Sequence, residues 1–95
     1  MQSKAETYLG FCRRAGKLTL GVNAARATRE RVYLLVVDRS ASAKCIKDVE
    51  KLARKFSCPV VRIDDLASVV GKEACKVAAV REEHLAAALE RELKE

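Results

Sequence analysis

Apolar residues recur along this chain in two rhythms, one helical and one extended. Ala5, Tyr8, Leu9, Cys12 and Ala15 return at three- and four-residue steps, the spacing of one buried helical stripe. Ser3 and Glu6 have the spacing of a capping box just ahead of it, and Gly16 predicts its end. Leu18-Thr19-Leu20 is long enough for a short edge strand. Residues 22–30 predict a short helix with Val22 and Ala25 inward and the arginines outward. Residues 32–37 form an unbroken β-branched and apolar run, which predicts a strand covered on both faces that stops at Asp38. Ser40 or Ser42 can cap the next helix, where Ile46, Val49, Leu52, Ala53 and Phe56 keep helical spacing. The other face of that helix carries Lys44, Lys47, Lys51, Arg54 and Lys55. After the break at Cys58-Pro59, residues 60–63 read as a strand. Asp64 is the expected cap of a short helix through Leu66, Val69 and Val70, closed by Gly71, with Lys72-Glu73-Ala74 as a loop. Residues 75–80 predict a strand of small residues, and residues 82–94 a last helix that buries Leu85, Ala88, Leu89 and Leu93.

Strands alternating with helices predict a three-layer α/β/α sandwich around a small mixed, mainly parallel sheet of about four strands. With 95 residues, and neither an internal repeat nor a linker, the expectation is one domain spanning 1–95. Two Tyr and two Phe leave the core mostly aliphatic. There is no apolar run near membrane-spanning length and no signal-peptide pattern at Met1-Gln2-Ser3-Lys4, so a cytoplasmic protein without a membrane partner is expected.

Charge changes the picture. Residues 1–62 hold 14 Lys and Arg against 5 Asp and Glu, a net of +9, whereas residues 63–95 hold 5 against 8, a net of −3. A basic first two-thirds with an acidic end suits a surface that faces a polyanion. Catalytic or metal chemistry is not called for. Cys12, Cys45, Cys58 and Cys75 lie 33, 13 and 17 positions apart, with no zinc-ligand spacing, and are expected to be buried free thiols. His84 is the single histidine, has no nucleophile at a recognisable spacing, and is expected on a helix surface. Asp64 and Asp65 fit a helix cap and an acidic first turn. The four glycines form no phosphate-binding or dinucleotide motif. The expectation is a protein that is not an enzyme and binds no small-molecule cofactor.

The stretch from Gly16 to Arg26 (GKLTLGVNAAR) carries the strongest chemical signal. Gly21 precedes a helix start, where unpaired N–H groups point outward with positive dipole character. Arg13, Arg14, Lys17, Arg26, Arg29 and Arg31 surround it in sequence, and Asn23 can both donate and accept. An anionic, hydrogen-bonding partner suits such a turn, nucleic acid foremost. Asn23 as a plain helix N-cap is the other reading of the same residues.

From Tyr8 to Leu89 the order of these motifs resembles the kink-turn-binding ribosomal protein family that includes large-subunit proteins L-seven-Ae and L-thirty-e, in a small bacterial form. The resemblance rests on LGFCRRAGKL at residues 9–18, on Gly21-Val22-Asn23, and on the strand ending Val36-Val37-Asp38 before a Ser/Ala-started helix. It continues through Cys58-Pro59-Val60 and through LASVVGK at residues 66–72, ahead of an apolar strand. It implies an α/β/α sandwich that grips RNA between the turn at residues 21–26 and the loop at residues 71–75. A kink-turn bends an RNA helix sharply and opens a groove that ordinary A-form geometry hides. In the family, an Asn at the position of Asn23 and nearby charged side chains contact guanine edges. The resemblance thus implies RNA contacts at Arg13, Arg14, Lys17, Gly21, Val22, Asn23 and Arg26. It also implies contacts to a flipped-out nucleotide at Val70, Gly71, Lys72, Glu73 and Ala74.

Ala24 and Ala27 depart from the family, which has an acidic or amide residue after the Asn and a Lys four places beyond it; Arg26 stands one place early. The second helix also looks about one turn short for the family. The implied function is recognition of kink-turn-type structured RNA, ribosomal or regulatory, with ribosomal proteins as further partners. A protein-interaction or scaffold module that kept the fold and lost specific RNA readout is the alternative.

Overall fold

The computed structural model of the protein describes residues 4–93. Nine elements follow one another: α1 (Lys4–Arg14), β1 (Leu18–Leu20), α2 (Val22–Ala27), β2 (Leu34–Asp38), α3 (Ala43–Phe56), β3 (Val60–Ile63), α4 (Leu66–Val70), β4 (Val77–Val80) and α5 (Glu83–Leu93). The cap expected at Ser3 and the last helical residue expected at Lys94 lie outside the described residues.

The four strands form one sheet in the order β1-β4-β2-β3, and the pattern of burial follows that order. All residues of the central strands β2 and β4 are buried, whereas edge strand β3 alternates and edge strand β1 is half-covered. The unbroken apolar run before Asp38 therefore does what its composition requires of a strand with helices on both faces. Leu9, Leu34, Val36, Leu66, Ala78, Val80 and Leu89 pack on one face of the sheet, under α1, α4 and α5. Ala25, Leu35, Val37, Val49, Leu52, Val77 and Ala79 pack on the other, under α2 and α3. The result is a three-layer α/β/α sandwich. No described helix is long and apolar enough to cross a membrane.

The sheet is mixed, as expected, but the expectation that it is mainly parallel is corrected. Only β2 and β3 pair in parallel; β4 is antiparallel to both β1 and β2. Helix length explains the difference. The 14 residues of α3 reach about 21 Å, enough to carry the chain back to the far end of the sheet and start β3 beside β2. The five residues of α4 reach only about 7.5 Å, so β4 must start at the end where β3 stopped and run the opposite way.

Local signals place most boundaries. Ser42 caps α3, its hydroxyl accepting the Cys45 N–H at 3.1 Å. Ser57 closes that helix in the left-handed conformation, ahead of Pro59. Gly71 closes α4 at φ 69°. Two caps differ from expectation. Gly21, not Asn23, is the N-cap of α2, because its carbonyl already accepts the Ala25 N–H at 3.0 Å. Asp65 rather than Asp64 is the N-cap of α4, and its side chain makes no cap bond.

Candidate nucleic-acid interface

The strand directions bring four connections to one edge of the sheet. There β1, β2 and β3 end and β4 begins, so residues 21–23, 39–42, 64–65 and 71–76 are neighbours although far apart in sequence. The Gly21 N–H donates to the Val77 carbonyl at 2.8 Å, fastening the turn before α2 to the end of the 71–76 loop. Gly21 has φ 95° and ψ 153°, a region that side chains exclude. That conformation turns the chain from β1 into α2 within one residue.

Asn23 sits two places after the cap, exposed, and its side chain caps nothing. Its Oδ1 accepts from the Arg26 guanidinium at 3.4 Å, so the two side chains form a pair on the outer face of α2. Arg26 also approaches Asp48 of α3 at 3.9 Å. Among the two readings of Asn23 drawn from sequence, the capping one is therefore excluded. The side chain presents an amide to solvent beside a cation.

Arg13 joins the second loop from the other side of the sheet. Its guanidinium lies against Gly71, so closely that a Cβ on Gly71 would come within 2.6 Å of it. Arg14 instead stacks on Phe11 at 5.0 Å and lines a cavity of about 360 Å³ with Gly10, Ser68 and Val69 between α1 and α4. Lys72, Glu73 and Ala74 are exposed, and Ala74 holds φ 60°, a left-handed conformation that L-residues seldom adopt. Val22 is half-buried against the core under α2, and Val70 is buried beneath α4. Lys17 is set apart. Its carbonyl bonds the Arg81 N–H at the start of β1, and the three residues of β1 separate it from Gly21 by about 13 Å.

Sequence reasoning missed the residue that holds this edge together. Asp38 is the only charged side chain buried among the described residues. Its Oδ1 accepts from the Ser40 N–H at 2.8 Å and the Ser40 hydroxyl at 2.7 Å, while its Oδ2 accepts the Leu66 N–H at 2.8 Å. Asp38 thus caps α4 across 28 positions of sequence, in place of the local aspartates. Lys76 completes the cluster, donating to Ser40 Oγ at 2.7 Å with its ammonium 4.0 Å from Asp38. The Ser40 hydroxyl, followed by the Ser40 and Leu66 N–H groups, lowers the carboxyl pKa to about 2. The one sequence signal was an acid ending an otherwise apolar strand.

The remaining candidates for chemistry are unremarkable in their settings. His84 is exposed and pairs with Glu82 at 3.1 Å. All four cysteines are free; Cys12 and Cys75 are buried as expected, but Cys45 and Cys58 are half-buried. Burial, aided by the nearby Glu82 charge, pushes the Cys12 thiol up to about 11, and burial raises Cys45 and Cys58 as well. Such thiols stay protonated and react slowly.

No protein-family model matches the sequence, and a search of curated proteins finds no match. Among 107 solved chains of similar shape is a protein of unknown function from Bacillus halodurans C, with a TM-score of 0.82 at 22% identity, over 99% of this chain and 100% of that one. At that identity the likeness shows the fold, and the fold alone does not assign a function.

Proposed function

We propose that this protein is a non-enzymatic RNA-binding protein that recognises kink-turn-type structured RNA. The observation that carries the reading is the joining of the 21–26 turn to the 71–76 loop through the Gly21 N–H and the Val77 carbonyl at 2.8 Å. These are the two segments that the resemblance implies for RNA contact, and they are far apart in sequence. Asn23 adds to the case: an exposed amide with no capping duty, next to the Arg26 guanidinium, is equipped for hydrogen bonds to base edges. Arg13 against Gly71 brings a further cation to the loop, where it can hold a phosphate. Expected partners are ribosomal or regulatory RNA in the cytoplasm.

Binding of a kink-turn RNA, compared with a straight duplex of equal length across a salt series, tests the proposal. Preference for the kinked RNA is expected, with affinity falling linearly in log salt. Equal affinity for the two RNAs would leave the fold as a scaffold without RNA readout.

A further inference from the structure

The outer face of α3 carries charge that the proposed reading head does not use. Lys44, Lys47, Lys51 and Arg54 are exposed, and their steps of three and four residues align them in one row along the helix. Among the described residues none of these four forms an ion pair, because Asp48 faces Arg26 and Glu50 has no cationic partner. Lys55 continues the row but donates to the Arg26 carbonyl at 2.9 Å. From Lys44 to Arg54 the row runs about 15 Å, roughly one charge per helical turn. It begins beside the Ser42 cap, at the same sheet edge as the Gly21 turn, and leads away from it.

We infer that this row is a second RNA-contacting surface, which holds the phosphate backbone of a duplex stem leaving the kink. The inference rests on the proposed function, since the reading head sets where the stem begins. Three of the four row residues are lysines, which act as point charges and suit contacts that carry no sequence information. An anionic membrane is a poorer match. The apolar side of α3, with Val49 and Leu52, is already buried against the sheet, so the exposed side has nothing to insert into lipid.

The test uses the full chain and kink-turn RNAs in which each stem in turn is trimmed close to the kink or extended by a helical turn. Extending one stem should tighten binding by wild type. The combined variant Lys44→Gln, Lys47→Gln, Lys51→Gln, Arg54→Gln keeps helix propensity. It should lose that gain, about tenfold or more at moderate salt, and its salt slope should shrink by about 3. Preference for kinked over straight RNA with trimmed stems should persist. A single Lys51→Glu should act in the same direction if the combined variant folds poorly. Equal losses with trimmed and extended stems, or no loss at all, would overturn the inference. So would lost binding to phosphatidylserine vesicles with RNA affinity unchanged. Wild type that ignores the kink yet loses long-duplex affinity in the variant would sink the proposed function and leave the phosphate row standing. Wild type that binds no RNA would end both.

Discussion

Asn23 makes no cap bond and has its amide exposed, which separates its two possible roles cleanly. Asn23→Ala should change stability by less than about 0.5 kcal/mol, as an exposed site whose one side-chain bond is the long, solvent-facing contact with Arg26. It should cost about 1–3 kcal/mol of binding to kinked RNA and far less for straight duplex. Thermal melts alongside both binding curves decide it; a large loss of stability with RNA preference intact would reassign Asn23 to architecture. Asp38 makes the opposite case. Asp38→Ala strands the buried Leu66 N–H and takes its acceptor from the exposed Ser40, at a cost of about 1–3 kcal/mol. Its carboxyl titrates below its ordinary 3.8, at about 2, so its contribution is complete above about pH 4 and is lost as pH falls toward 2. Urea melts at neutral pH and near pH 2 should show wild type approaching Asp38→Ala only in acid.

At the scale of elements, Gly21 is where backbone and site meet. Gly21→Ala places a side chain at φ 95° and should cost about 1–3 kcal/mol. By moving its N–H from the Val77 carbonyl it should also lower kinked-RNA preference more than total RNA affinity, as titrations of both RNAs would show. The same elements mark what the sequence could reveal. The buried runs of β2 and β4, the short edge strand β1, the Ser42 cap and the Gly71 stop all follow from residues close together in the chain. The antiparallel setting of β4 does not: the shortness of α4 was legible, but the pairing of β4 between β1 and β2 joins residues far apart in sequence. Capping of α4 by Asp38 lies 28 positions away, beyond any local pattern, and it displaced the expected Asp64. For the candidate site, Asn23 and Gly71 stood out in the sequence; the meeting of Arg13 with Gly71 and the separation of Lys17 required the fold.

For the whole molecule, the two aliphatic cores carry stability without cross-links. All four thiols are free, so reducing agent and chelator should leave the melting temperature unchanged; a fall with chelator would reveal a bound metal that contributes folding energy. The order of the sheet has a temporal side. Between β1 and β2 lies β4, so a chain that has emerged from the ribosome only through β3 has no neighbour for β1 and no carbonyl for the Gly21 N–H. The gap closes only when residues 77–80, synthesised after the other three strands, slot in. Completing the sheet and joining the two segments proposed for RNA contact are then one event. Stalled nascent chains exposed only to residue 70 should fail to retain kink-turn RNA, and those exposed through α5 should retain it. A chain built this way would keep the Gly21 turn and the 71–76 loop apart until β4 is in place.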